Sequence, residues 1–461
     1  MLTISTMKTL KHIFTMLTIF GLTLACYAET KKVGKYQIAL KTTKADAIYA
    51  VGEKAEFILT IKKDATDFSG ADLSYEISKD SVAPITKGEK KSANATETFV
   101  GTLNEAGFLK CRVLVKLPDE KKPIEMLAGA GFDPLKIQPS MPMPDDFKTF
   151  WQNQKAMLAK IPMNIVIKPC NNILQTRKIS QKIKDKVDLF HITADTYNGK
   201  LDAFLAMPKN AKEKSLPAIV IPHGAGIRKS NYSTVVSWAS SGFIALDFNA
   251  LGINSFCSDD ELKSIVLQNS NENNYRYRNT TNRDTIFFKE LYLRLCRAID
   301  VITSQPQWDG KTLVVHGTSQ GGGQAIVAGA LCSDKVSLVC SFVPALCDHT
   351  GVAKNRTNGW PHFIKSDKKT KKFGKYNNDV FNAVRYIDAV NFASMIKAPT
   401  ICAIDFADNV CEPTSCFAAY NNISAKKELI TNVEARHKVP TNCYSVVRKK
   451  VLKHAKQMRS K

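Results

Sequence analysis

The chain is 461 residues long, 44% hydrophobic and 23% charged, with a formal net charge of +23. Such a composition excludes a wholly disordered polymer, and the length calls for two or three domains rather than one. The positive balance suits anionic surfaces or acidic polysaccharides, but no nucleic-acid-binding motif accompanies it, and Lys pairs such as Lys90-Lys91 and the run Lys368 to Lys372 read as solvated surface.

Taken in chain order, Lys8 and Lys11 precede an apolar run from Ile13 to Leu24, and the small residues Cys26 and Ala28 follow. This is the pattern of an export signal over residues 1–28, cleaved after Ala28, so a periplasmic or extracellular location is expected. An uncleaved anchor and a lipid-carrying Cys26 are the alternatives. No later stretch has the roughly 20 apolar residues of a spanning helix, so the mature chain should carry no integral membrane segment. Of the twelve cysteines, loss of Cys26 leaves an odd number, scattered through apolar stretches. They read as buried packing residues, and with no CxxC pair a structural zinc site is not expected.

Residues 29–138 read as all-β. Gln37 to Lys41, Ala55 to Ile61 and Leu109 to Val115 have strand character, and Phe57, Leu59 and Ile61 alternate onto one face. Gly52, Gly70 and Gly107 mark turns between such runs, which suggests a small immunoglobulin-like sandwich. Pro139, Pro142 and Pro144 then make a stiff, extended linker, and Asp145-Asp146 can cap a helix through Phe147, Phe150 and Trp151. Over residues 139–461, and clearly from about 186, unbroken apolar runs alternate with helical stretches. The runs are Ala218 to Ile221, Phe243 to Leu246, Thr312 to Val315, Leu338 to Val343 and Thr400 to Ile404, and Glu290 to Ser304 supplies a crossover helix. A mainly parallel sheet with helices on both faces is expected, the α/β-hydrolase architecture.

The strongest chemical signal is Gly317-Thr318-Ser319-Gln320-Gly321, a Gly-x-Ser-x-Gly directly after an apolar strand and before the helical run from Gln324. A sharp strand-to-helix turn lifts a serine hydroxyl above the sheet edge, and the helix aims its positive end at a developing oxyanion. Ser319 is therefore the candidate nucleophile. In this fold the acid and then the base follow the serine in the chain. His437, in a loop beyond the last strand-like stretch, is the natural base. His349 and His362 remain alternatives, and His454 falls on a lysine-rich terminal helix expected to be exposed. Asp408 follows the strand Thr400 to Ile404 at its carboxyl end, where catalytic groups converge, and Asp405 is its competitor. The oxyanion donors should be the backbone N–H groups of Gln320 and Ala225, the latter in His223-Gly224-Ala225-Gly226, with His223 shaping the loop rather than reacting.

These residues resemble the acetyl xylan esterases and cephalosporin C deacetylases, from about residue 139 onward. The proline-rich entry and aromatic helix of Pro142 to Trp151, the elbow Gly317 to Gly323 with Gln320 after the serine, Arg385 to Ala393, and Cys411 to Asn421 all resemble that family. The resemblance places Asp408 and His437 at the family's acid and base. The chain departs from the family pattern at Asn249-Ala250-Leu251-Gly252, where Arg-Gly-Gln-Gly is usual, at Ala225, where tyrosine is usual, and at Lys438, where glutamate is usual. These departures bear on the acyl pocket, the substrate and the assembly. The resemblance implies removal of acetyl groups from acetylated oligo- or polysaccharides such as xylan fragments, with no metal or organic cofactor, and a homo-oligomer that the extra N-terminal domain could prevent. A peptidase of the same fold, or a polysaccharide-binding protein with a relic triad, are the competing readings.

Overall fold

The computed structural model describes residues 29–80, 82–175, 179–270, 274–366 and 374–460. The expected signal segment and the Lys368 to Lys372 run lie outside the described residues.

The N-terminal part holds ten described strands: β1 (Glu29–Val33), β2 (Tyr36–Thr42), β3 (Ile48–Tyr49), β4 (Ala55–Lys63), β5 (Thr66–Asp67), β6 (Asp72–Lys79), β7 (Pro84–Lys91), β8 (Thr96–Gly101), β9 (Gly107–Lys116) and β10 (Ile124–Phe132). One sheet runs β1-β2-β4-β5 with β8 also on β4, and the other runs β3-β10-β9-β6-β7. Alternation does what it should in β4: Phe57, Leu59 and Ile61 are buried in a core shared with Ile38 and Leu40 of β2 and with Cys111, Val113 and Val115 of β9. The period of two fails in β9 and β10, where Gly107 to Cys111 and Met126 to Phe132 are buried without interruption. Both faces of these strands are covered, the inner by the other sheet and the outer by the rest of the molecule.

The linker is not a free spacer. Ser140 is buried and donates through both its N–H (2.8 Å) and its hydroxyl (2.6 Å) to Asp348. Arg356 reaches the Gln138 carbonyl at 2.6 Å and Arg385 the Pro142 carbonyl at 2.9 Å. Asp146 stands at the start of the helix Phe147–Ala159, but its side chain makes no capping bond. Its carboxylate is taken instead by Arg283 at 2.7 Å and by the Tyr386 hydroxyl, so it ties the helix to the hydrolase part and does not cap it.

The third sheet has nine strands: β11 (Val166–Pro169), β12 (Val187–Thr196), β13 (Gly199–Pro208), β14 (Leu216–Pro222), β15 (Ile244–Phe248), β16 (Trp308–Thr318), β17 (Leu338–Phe342), β18 (Thr400–Asp405) and β19 (Lys427–Asn432). Its order is β11-β12-β13-β15-β14-β16-β17-β18-β19. The first four strands in that order pair antiparallel, and every pairing from β15 to β19 is parallel. Two apolar layers flank it. One includes the helices Phe287–Thr303 and Gln320–Leu331, the other the helices Tyr232–Ala239 and Thr441–Arg459. The helix expected from Glu290 starts a turn earlier because Ile286, Phe287 and Phe288 are fully buried. This is an α/β-hydrolase fold preceded by an all-β sandwich. Eleven cysteines are described, and all are buried and free. Among the described residues no helix is long and apolar enough to cross a membrane.

Candidate active site

Strand β16 runs through Gly317 and Thr318, and the helix Gln320–Leu331 starts one residue after Ser319. Ser319 makes the turn with φ 60° and ψ −123°, a strained conformation for a residue with a side chain. The strain is held by neighbours on all sides. The Ser319 N–H donates to Phe342 O of β17 at 2.9 Å, and its carbonyl accepts the N–H groups of Gly323 (3.1 Å) and Ala345 (3.0 Å). A Cβ on Gly317 would lie 2.0 Å from the Gly321 carbonyl oxygen, so only glycine closes this turn.

Asp408 lies three residues past the end of β18, and His437 lies in the loop after β19. His437 Nε2 is 2.9 Å from Ser319 Oγ, and its Nδ1 is 2.7 Å from Asp408 Oδ2. The other carboxylate oxygen of Asp408 accepts the N–H groups of Val410 (2.8 Å) and Cys411 (3.0 Å). Asp408 is fully buried, while the His437 side chain is 23% exposed. The acid is thus shielded from water and the imidazole faces the opening. With Asp408 on Nδ1, that nitrogen carries the proton, and Nε2 is free to accept one from Ser319.

The competing residues sit elsewhere. Asp405 accepts from Asn432 Nδ2 at 2.6 Å, and burial pushes its carboxyl up to about 7. His349 is fully buried against Phe363, with its pKa lowered to about 3 by desolvation. His362 Nδ1 contacts Asn358 O at 2.7 Å. His454 is half-buried and contacts Ser337 Oγ at 3.0 Å, not exposed as its lysine-rich helix suggested. His223 pairs with buried Asp247 at 2.5 Å, and Asp247 also accepts the Asn231 N–H at 2.7 Å, so this histidine pins the loop it belongs to.

That loop runs beside Ser319: a Cβ on Gly224 would lie 3.5 Å from Thr318 O and 3.9 Å from Ser319 Cβ. Tyr275 ties the loop that carries Ala225 to the Gln320 side chain, accepting the Gly226 N–H at 3.1 Å and donating to Gln320 Oε1 at 3.4 Å. Nothing in the sequence around Tyr275 signals this role, because the contact spans 45 residues. Next to the elbow opens a cavity of about 910 Å³, whose lining includes Gly224, Thr318, Tyr444, Trp238, Tyr232 and Arg448 but not Ser319, Asp408 or His437.

Asp408, Cys411 and His437 place their possible ligand atoms within 4.8 Å of one another, the one such cluster among the described residues. Burial, and then the Asp408 charge, push the Cys411 thiol well up, which keeps it protonated and a poor ligand. Asp408 and His437 are already committed to each other and to Ser319. With the thiol protonated, the cluster offers a metal fewer donors than its three residues suggest.

Residues 133–457 match the model of the family described as acetyl xylan esterase. An acetyl esterase, Axe7A, of Xylanibacter ruminicola is 29% identical over 428 residues, covering 92% of each chain, more than the hydrolase part alone can supply. The acetyl xylan esterase of Paenibacillus sp. R4 superposes with a TM-score of 0.58 at 23% identity, over 69% of this chain and 97% of that one. Acetyl xylan esterase 1 of Thermoanaerobacterium sp. JW/SL YS485 gives 0.58 at 22% identity, over 70% and 97%. These two likenesses speak for the fold. The chain is a carboxylic ester hydrolase and belongs to the acetyl xylan esterase family.

Proposed function

We propose that this enzyme is exported and removes acetyl groups from acetylated carbohydrates, xylan fragments among them, through a Ser319–His437–Asp408 triad. The observation that carries the triad is the unbroken chain of two short contacts, 2.9 Å from Ser319 to His437 and 2.7 Å from His437 to Asp408. The family and the acetyl esterase relative support the acyl group and the sugar. The large cavity beside the elbow, with aromatic faces and hydroxyl groups, is the kind of wall a sugar ring packs against. The N-terminal apolar run supports export.

Ser319 Oγ attacks the acetyl carbonyl while His437 Nε2 takes its proton. Asp408 holds the imidazole in the tautomer that can accept at Nε2 and stabilises the imidazolium. The N–H groups of Gln320, at the head of its helix, and of Ala225 receive the oxyanion. His437 returns the proton to the departing sugar hydroxyl. Water, deprotonated by the same imidazole, then releases acetate from the acyl-serine.

The test is acetate release from acetylated xylo-oligosaccharides, wild type against Ser319→Ala, with a chromogenic acetate ester and a peptide in parallel. Acetate release that falls by about three orders of magnitude or more in the variant supports the reading, since loss of a triad member typically costs that much. Wild type no faster than Ser319→Ala on every ester contradicts it. Cleavage of the peptide alone would move the enzyme to the peptidases.

A further inference from the structure

The loops that carry Asp408 and His437 leave β18 and β19, at the edge of the nine-stranded sheet. β18 is paired on both sides, but β19 has a neighbour on one side only, so the sheet flanks the His437 loop from a single side. The sandwich supplies the missing side. Lys110 of β9 is buried at 6% exposure, and its ammonium donates to the Asp408 carbonyl at 2.7 Å and to Glu412 Oε2 at 2.6 Å. A single cation thereby clips both ends of the 408–412 loop. Two residues further, the Thr414 hydroxyl donates to Asp80, which directly follows β6. Phe406 packs edge-on against Phe108 with ring centres 4.9 Å apart. Its carbonyl oxygen occupies the place of a missing side chain, since a Cβ on Gly129 would lie 2.0 Å from it.

The base is held from the same direction. Arg436, immediately before His437, places Nε 2.8 Å from Glu29 and Nη1 2.9 Å from Glu125, and Nη2 donates to the Glu125 carbonyl at 3.1 Å. Glu29 also accepts the Leu127 N–H at 2.6 Å, and Glu125 takes Arg112 Nε at 2.6 Å, so both carboxylates are fixed before they meet Arg436. The two loops touch each other through the Ala407 N–H and the Ala435 carbonyl at 3.1 Å.

We infer that the sandwich is part of the catalytic apparatus: Lys110, and Arg436 through Glu29 and Glu125, are positioning residues that set Asp408 and His437 against Ser319. This rests on the triad proposed above. Neither residue touches the reacting atoms. They act on where the imidazole sits, and a displacement of about 1 Å there costs on the order of 100-fold in rate.

The test uses the full chain with a small acetate ester, reading kcat and KM separately alongside thermal unfolding. In Arg436→Gln and in Lys110→Met/Glu412→Gln, which removes the buried pair without stranding a charge, kcat should fall by about 10- to 100-fold with KM within about two-fold. Lys110→Arg should keep more of kcat than the pair replacement. A purely structural clasp predicts otherwise: folded variants with wild-type kcat, or a loss that matches the unfolded fraction, overturn the inference. If the pair replacement does not fold, Arg436→Gln, a half-buried site, decides alone. Ser319→Ala in the same assay keeps the two claims apart. Residual wild-type activity in that variant would remove the triad itself, whereas an inactive Ser319→Ala with fully active clamp variants would remove only the clamp.

Discussion

The two halves of this site are built by opposite means. The serine half is made by local sequence: a strand, a glycine-flanked turn and a helix in one run from Trp308 to Leu331, closed by backbone hydrogen bonds to Phe342, Gly323 and Ala345. The acid–base half is made by side chains that meet across 298 to 407 residues of sequence, with Lys110 on the 408–412 loop and Glu29 and Glu125 on Arg436. A motif can encode the first kind of construction. The second exists only once the sandwich has packed against the hydrolase part.

The comparison can be broken at two glycines. Gly317→Ala forces a Cβ into the Gly321 carbonyl within the elbow itself, and no docked domain can relieve it. Activity on an acetate ester should fall by more than about 100-fold, with a stability loss near the upper end of the ~1–3 kcal/mol typical of overpacking. Gly129→Ala intrudes on the Phe406 carbonyl across the contact between the sandwich and the hydrolase part, outside the elbow. It should cost about ten-fold in kcat and about 1–2 kcal/mol in stability. Equal losses from both substitutions, measured by steady-state kinetics and denaturant melts, would erase the distinction drawn between the two halves.

A smaller effect sharpens it from the hydrolase core. His349 is buried against Phe363, and its pKa is lowered to about 3. The unfolded chain binds a proton on this residue below about pH 6.5 while the folded protein does not, so its contribution to stability falls as pH drops through 6.5. The loss is at most about 1.4 kcal/mol per pH unit. His349→Leu removes this term, so the melting temperature of the variant relative to wild type should rise by about 2–4 °C between pH 7 and pH 5. A difference that stays constant with pH would show that His349 titrates in the folded state.

Much of the hydrolase fold and its chemistry was legible in the sequence because it rests on short-range rules. Unbroken apolar strands marked the parallel sheet, Gly-x-Ser-x-Gly marked the elbow, and chain order after the serine pointed to Asp408 and His437, which the structure brings onto one another and onto Ser319. Asp405 was a fair competitor by position and is drawn away only by Asn432, a neighbour on the adjacent strand. The docking surface was not legible. In β9, Lys110 alternates onto the same face as Arg112 and Lys116, which reads as a solvated stripe, and only the packed hydrolase part turns Lys110 into a buried clip. The fastening of the proline linker was not legible either. Its composition says spacer, whereas Ser140 is fastened to Asp348, more than 200 residues away. Capping by Asp146 was the local expectation, and Arg283 and Tyr386 outbid the helix end for its carboxylate.

The central claim is that Ser319 is a nucleophile made competent by His437 and Asp408. Its most direct measurement is labelling with an organophosphonate probe, read by mass spectrometry of the modified peptide in the wild type and in Asp408→Asn. The account predicts one adduct, on Ser319, forming about 10³- to 10⁴-fold more slowly in Asp408→Asn, where the imidazole loses its orienting carboxylate. An adduct on another residue, no adduct at all, or an Asp408→Asn rate equal to that of the wild type would contradict it.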